Sequence, residues 1–250
     1  GNGEERGMKK VYSLSFFRND WSGYESPNAG EARGKFFINF IPTIIHAAKE
    51  AFPDYDIWIH HDDRVLEFPA FQDLPPEVKL INMGEAKELC AAMLWRMQPI
   101  LDEEVELVVC RDVDSLPMHR DRNMVEEAME SGAELHAILD SESHCGPLMG
   151  GMIAMKAAAV RTKCRKVLSL RGDIDYNRHG ADQIHLNKVL WPAMRKWAFI
   201  HQRKKVVNYP DAMRTMEVHP QETELDKVIR HIGAAFEVEK AKAALGEVLG

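Results

Sequence analysis

The stretch Leu107-Val108-Val109-Cys110-Arg111-Asp112-Val113-Asp114-Ser115-Leu116-Pro117 decides how the chain is read. An apolar run long enough for a buried strand stops at two aspartates one residue apart, and a proline closes the segment. Within a strand successive side chains alternate between faces, but just beyond its end residues i and i+2 share one. Asp112 and Asp114 are therefore expected to present two carboxylates to one spot at the strand tip. Such a pair suits a hard divalent cation, Mn²⁺ or Mg²⁺, which takes few protein oxygens and keeps waters or phosphate oxygens elsewhere in its shell. The competing reading is a strand-end turn, because aspartate side chains readily bond the backbone that follows them.

Working outward, residues 11–17 read as a first strand, rich in strand formers and stopped by Arg18-Asn19-Asp20. A helix is expected over 31–51, kinked or divided by Pro42. Residues 56–60 alternate with period two and give a second strand, ended by His61-Asp62-Asp63, and 79–83 a short third. Residues 86–101 carry Leu89, Met93, Met97 and Ile100 at helical spacing, with Pro99 near the end. After the aspartate pair a helix is expected over 120–131 and a strand over 134–139. A glycine- and methionine-rich segment at 145–155 comes next, then helices over 157–170 and 181–190. An extended segment at 206–210 and a last helix over 237–249 complete the pattern. Strands alternating with helices predict one α/β sandwich with a largely parallel sheet, spanning 8–250. Ligands of such sheets gather at the carboxyl ends of the strands, where 18–20, 62–63 and 112–115 would meet.

Hydrophobic residues make up 45% of the 250 and charged residues 28%, enough for a sizeable core. The net charge of −7 argues against a generally basic nucleic-acid binder. It leaves room for a local patch, and Arg195-Lys196 followed by Arg203-Lys204-Lys205 is one, read either as a solvated helix end and loop or as a contact surface. Four scattered cysteines without a CxxC pair make a zinc site or disulfide framework unexpected and favour a reducing, cytoplasmic setting. No run approaches the ~20 apolar residues that cross a bilayer. Residues 1–7 read as a cloning remnant ahead of Met8.

Four further motifs accompany the aspartates in order. Met93-Leu94-Trp95-Arg96-Met97-Gln98-Pro99-Ile100-Leu101 leads into the strand; Gly150-Gly151-Met152 follows; then come Ala181-Asp182-Gln183-Ile184-His185-Leu186-Asn187 and His231-Ile232-Gly233. The set resembles glycosyltransferases of the A-type (GT-A) fold, above all family 8 and its relatives, over more than half the chain. The resemblance implies a Rossmann-like α/β/α sandwich with a mostly parallel mixed sheet. It also implies a metal-dependent transferase moving a sugar from a nucleotide-diphosphate donor, with UDP-sugar favoured, to a hydroxyl acceptor. Asp114 would ligate the metal directly, Asp112 would bind the metal, its water or the ribose, and His231 would close the shell. Arg96 would lie near the donor, or simply pair with an acidic residue such as Asp112, since a buried arginine needs a partner. Asp182 would meet donor-sugar hydroxyls or the acceptor nucleophile, serving as general base if the enzyme inverts, or would only cap its helix. Gly150 and Gly151 would let backbone approach the sugar or form a tight turn. Phe17, Arg18, Asp62, Arg111, Gln183 and Gly233 complete the expected donor site, with Arg111 on the phosphates or in solvent.

The chain also departs from family 8. Val109-Cys110-Arg111 replaces the usual tyrosine-leucine lead, and Ala234-Ala235-Phe236 stands where a lysine-proline-tryptophan tail is expected. Another cation, Arg96, Arg111 or Arg230, would then support the diphosphate. Three alternatives compete. Asp112-Val113-Asp114-Ser115-Leu116 also resembles the nucleophile motif of haloacid-dehalogenase phosphatases, which normally lies on the first strand. A nucleotide-binding module without turnover is the second. The third, a nucleotidyltransferase, lacks a glycine-rich basic loop after the first strand. The acceptor stays open between glycan, protein and, on the Arg203 to Lys205 patch, DNA of the modified phage type.

Overall fold

The computed structural model describes residues 7–17, 31–141, 144, 146–203, 209–218, 240, 242–243 and 245–246; the side chains of 31–40, 69, 70 and 89 are not among them. Its strands are β1 (Lys9–Phe16), β2 (Asp56–His61), β3 (Lys79–Asn82), β4 (Val105–Arg111), β5 (Leu135–Leu139), β6 (Met152–Lys156), β7 (Ala198–Gln202) and β8 (Arg214–Glu217). They form one sheet in the order β3-β2-β1-β4-β6-β5-β7-β8. Every pairing is parallel except that β6 runs antiparallel to both β4 and β5. The helices are α1 (Glu31–Ala51), α2 (Pro69–Gln72), α3 (Leu89–Met93), α4 (His119–Glu130), α5 (Ala157–Lys163) and α6 (Ala181–Met194). This is the expected α/β sandwich with a mostly parallel mixed sheet.

Alternation along the strands explains the two helical layers. Tyr12, Leu14, Phe16, Leu107 and Val109 share one face and pack with Ile41, Ile44, Ile45 and Ala48 of α1 and Met124 and Val125 of α4. Val11, Val108 and Cys110 point the other way, against Met97, Ile100, Val160 of α5 and Leu186 and Leu190 of α6. With both faces covered, the central strands read as continuous apolar runs.

Several local expectations are corrected. Pro42 lies inside α1 without dividing it. Burying each of the isoleucines beside it is worth about 1.5–3 kcal/mol, so together they outweigh the ~3 kcal/mol a helical proline costs. Residues 86–101 are not one α-helix: α3 is a single short turn, and Leu94–Leu101 continues as a 3₁₀ helix containing Pro99. The helix expected over 157–170 stops at Lys163, and the one expected to end at 190 runs to Met194. Strands β6, β7 and β8 were not anticipated; the first lies in the methionine-rich segment and the second between the two basic clusters. The extended segment at 206–210 falls largely outside the described residues, while the described positions at 240–246 are helical, as expected. Among the described residues, no helix is long and apolar enough to cross a membrane.

Topology fixes where a ligand would sit. From β1 the chain steps to β2 and β3 on one side, then returns to place β4 on the other. The switch point lies between β1 and β4, and the crevice beyond their carboxyl ends is the natural binding place in an open sheet of this kind. Asp112 is the first residue past β4.

Candidate active site

Beyond β4 the chain turns at once: Asp112 accepts a backbone hydrogen bond from Ser115 N at 3.2 Å, so Asp112 and Asp114 bracket a tight turn and both are partly buried. Both aspartates therefore lie on a strand-end turn.

Arg96 rises from the 3₁₀ helix on the far side of the crevice and is only 3% exposed. The two strands that flank the switch point brace it. Ser15 of β1 accepts from Arg96 N at 2.9 Å and donates to Met93 O at 3.3 Å, replacing helical bonds lost where α3 gives way to the tighter winding. Cys110 of β4 directs its thiol to Arg96 O at 3.5 Å. The guanidinium reaches Asp112 Oδ1 at 2.5 Å and Asp182 Oδ2 at 3.4 Å, and also meets Arg111 O at 3.4 Å. Burial works against its charge, but Asp112 and Asp182 outweigh that and hold its pKa above the usual value.

Asp182 stands in the first turn of α6, after Gly180 in the left-handed conformation at φ 80°. It is 3% exposed, and burial raises its carboxyl above the ordinary range, with Arg96 opposing and Asp112 adding to the rise. Gly150 and Gly151 form the floor. A Cβ on Gly150 would lie 2.6 Å from Arg96 Nη2 and 2.8 Å from Asp182 Oδ2; one on Gly151 would lie 2.1 Å from Asp112 Oδ2. Asn187 of α6 fixes this floor as a strand neighbour would, accepting from Leu148 N at 3.1 Å and donating to Leu148 O at 2.9 Å. It also donates to Gln183 O, at 2.8 Å.

The structure therefore brings together Arg96, Asp112, Asp182, Gly150 and Gly151, with Asp114 two residues past Asp112 in the turn and Gln183 one residue along α6. Phe17 closes the end of β1, its ring edge-on to Trp95 with centroids 6.1 Å apart. Two residues have other work. Asp62 is fully buried and caps the short 3₁₀ helix Asp63–Glu67, accepting from Val65 N at 3.2 Å. Arg111 corrects the expectation of a phosphate contact. It is 1% exposed and turned to the α4 side of the sheet, where Asp121 takes Nε at 2.9 Å and Nη2 at 2.5 Å. Strand alternation dictates this, since Arg111 follows Leu107 and Val109 onto that face. Arg18, Arg230, His231 and Gly233 lie outside the described residues. Ser15 was not singled out from sequence, and Cys110 and Asn187 entered there only as members of longer motifs. Two serines on one face of an otherwise apolar β1 were the available sign.

A divalent metal would draw on Asp112 and Asp114 at this turn. Among the described residues no group of three or more His, Cys, Asp or Glu is placed to hold an ion, so these two would supply the protein's share. Mg²⁺ and Mn²⁺ can take so few protein ligands when phosphates and waters complete the shell.

No family model matches the chain, and no curated protein matches its sequence. Solved structures resemble it in outline. One is a protein of Desulfovibrio desulfuricans G20 described provisionally as a nucleotide-diphospho-sugar transferase, 15% identical, with 96% of this chain and 95% of that one covered at TM-score 0.48. Another is a glycosyltransferase involved in glycosylating the major capsid of PBCV-1, 11% identical, covering 77% and 81% at TM-score 0.47. A third is the 4-diphosphocytidyl-2C-methyl-D-erythritol synthase of Anaerococcus prevotii DSM 20548, 10% identical, covering 97% of each chain at TM-score 0.44. Likenesses at this level say nothing of activity.

Proposed function

We propose that the chain is a metal-dependent glycosyltransferase that uses a nucleotide-diphosphate sugar, with a UDP-sugar favoured as donor. The observation that carries this is Arg96: a buried arginine braced by both strands of the switch point and aimed between two carboxylates over a glycine floor. Burying such a charge is costly unless every partner is in place, and a site built for that purpose at the carboxyl edge is a site for a ligand.

In this reading the nucleoside lies toward β1 and β2, with Phe17 at its edge, and the diphosphate lies over the Asp112 to Ser115 turn. Asp112 and Asp114, with His231 beyond the described residues, would hold Mn²⁺ or Mg²⁺, which neutralises charge developing on the departing diphosphate. Arg96 gives the same region a fixed cation that costs no reorganisation. Asp182 faces the sugar and bonds its hydroxyls, while the glycines let the ring approach the backbone. Transfer breaks the bond from the anomeric carbon to the diphosphate oxygen and forms one to the acceptor oxygen, whose proton is released. Phosphatase chemistry fits less well, because Asp112, its required nucleophile, is engaged by Arg96 on one oxygen and backed by Gly151 on the other.

The test is calorimetric titration of UDP, GDP and CDP into wild type and Asp114→Ala, each with Mn²⁺ and with chelator. One nucleotide should bind wild type only with metal, and the variant should lose that binding while melting normally. Equal affinity in the variant with Mn²⁺, or no nucleotide binding by wild type at all, would overturn the assignment.

A further inference from the structure

Arg111 does more than neutralise Asp121. It is the last residue of β4, 1% exposed, and its guanidinium makes four hydrogen bonds. Nε and Nη2 fork onto Asp121 at 2.9 and 2.5 Å. Nη1 reaches Cys110 O of its own strand at 2.7 Å and Ile153 O of β6 at 3.0 Å. Replacing a buried ion pair by apolar side chains of similar volume is often neutral or stabilising, so stability alone gives no reason for this one. What an apolar pair could not supply is direction.

These bonds act on the frame of the donor site. Arg111 and Met152 form the last pair of the β4–β6 ladder at the carboxyl edge. Just beyond them stand Asp112 on one strand and Gly151 on the other, so close that a Cβ on Gly151 would lie 2.1 Å from Asp112 Oδ2. Tying β4 to Ile153 O therefore fixes the gap between the aspartate turn and the glycine floor. The fork onto Asp121 closes a loop: Asp121 lies in the first turn of α4, ten residues on, and Asp112 and Asp114 both hang from that joint. The far side of the joint is itself anchored. Arg120 forks onto Asp140, the first residue past β5, at 3.2 and 2.9 Å, and Arg203, just past β7, reaches the same carboxylate at 3.3 Å. From the opposite face of the sheet, Arg96 donates to Arg111 O at 3.4 Å and to Asp112 at 2.5 Å. The end of β4 is thus gripped from both helical layers.

Resting on the transferase reading above, we infer that Arg111 is a positioning residue of the donor site. Bonded at once to Ile153 O and Asp121, it holds Asp112 and Asp114 against the Gly150-Gly151 floor at the spacing that metal and nucleotide require. Buried as it is, it acts through Asp112 and not by touching a ligand. A lysine would keep the charge, but its ammonium is a point with three donors where the fork serves four acceptors. Arg111→Lys therefore preserves the ion pair and gives up part of the grip.

The test separates positioning from stability. The full chain is compared as wild type, Arg111→Lys, the double variant Arg111→Met with Asp121→Leu, and the control Phe52→Leu, a core truncation ahead of β2 at the opposite edge of the sheet. Each is followed by urea melts, by titration of UDP, GDP and CDP with Mn²⁺, and by amide hydrogen exchange over Met152–Lys156. The double variant should melt near wild type, since no buried charge is stranded. It should nevertheless bind nucleotide at least tenfold more weakly, because a displacement of 1 Å can cost about 10²-fold. Its β6 amides should exchange faster relative to those of β2, a local opening and not a global one. Arg111→Lys should fall between on both counts, and it carries the comparison if the double variant does not fold. Phe52→Leu should lose stability yet keep wild-type affinity. Wild-type affinity in the double variant, or in Arg111→Lys where only that variant folds, overturns the inference, and so does unchanged β6 exchange. Failure of wild type to bind any nucleotide overturns the transferase reading instead; faster β6 exchange would still establish the clamp, without a donor to position.

Discussion

Replacing Gly151 by alanine probes the site with one methyl group. The new Cβ would stand 2.1 Å from Asp112 Oδ2, 2.4 Å from its Cγ and 2.7 Å from Oδ1, all backed by the Arg96 contact. Ordinary contact begins at 3.4 Å, so the carboxylate must retreat by about 1.3 Å or the floor must drop by as much. Asp112 has an exit, because its side chain is 30% exposed. Overpacking of this kind costs roughly 1–3 kcal/mol, which lowers the melting temperature of a chain this size by about 2–12 °C. The functional cost is of similar size, since misplacing a catalytic group by 1 Å can cost about 10²-fold. The variant should therefore melt cooperatively by circular dichroism yet lose at least tenfold in Mn²⁺-dependent nucleotide affinity. Gly172→Ala, where the added Cβ meets nothing within 4 Å, should change neither quantity. Wild-type nucleotide affinity in Gly151→Ala would show that the Asp112 position does not matter to binding and would refute the geometry argued here.

Further outcomes follow from the buried charges. Arg111→Met should destabilise the chain by about 3–5 kcal/mol in urea melts, because it strands Asp121, whereas Arg111→Met combined with Asp121→Leu should recover most of that loss; an additive double variant would refute the pairing. Four of the buried histidines set the acid limit. Burial lowers His60 to about 4, His136 well below its usual value, and His185 and His201 below theirs. Each binds fewer protons folded than unfolded, so its stabilising contribution is present above the unfolded value of about 6.5 and is lost as pH falls toward the folded one. Melting temperature should decline steadily from pH 7 to pH 4, and a flat profile would contradict it. Tyr176→Phe removes the hydroxyl that accepts from Arg171 N at 2.9 Å and meets His185 Nδ1 at 2.7 Å. It should cost about 1–3 kcal/mol without altering nucleotide affinity.

The sequence disclosed the elements that obey simple patterns. Apolar runs stopped by polar clusters located β1, β2 and β4, and the paired aspartates did emerge just beyond β4. Arg96 was legible as a charge stranded in an apolar segment, and the partner named for it in the bland reading, Asp112, is the one it has. What escaped notice lacked a pattern. Strand β6 is five residues following two glycines, which looks like the tail of a turn until β4 and β5 close around it. Strand β7 is equally short and sits between basic residues that drew attention to solvent. Helical spacing through 94–101 concealed the 3₁₀ winding, because both geometries place residues three apart on nearly the same side. Arg111 could have been assigned correctly by counting two residues from Val109. Asp140 had no local signal, since its partners come from 20 and 63 residues away.

The reversal of β6 has a consequence for how this scaffold could diversify. In an all-parallel sheet every connection leaving the carboxyl edge must travel through a crossover and return from the opposite end, so its length and path are tied to the helix it feeds. Here the chain leaves β5 at that edge and re-enters through β6 at the same edge, with no helix among the described residues between them. Residues 140–151 thus form a local connection whose two ends are neighbours in the sheet. One end carries Asp140, the other carries the glycine floor, and Asn187 moors it at Leu148. Residues added or exchanged within that arc would reshape the mouth while leaving strand register, both helical layers and the core unchanged. Among the described strands β6 alone runs backward, and it gives the sheet a connection able to vary independently of its framework.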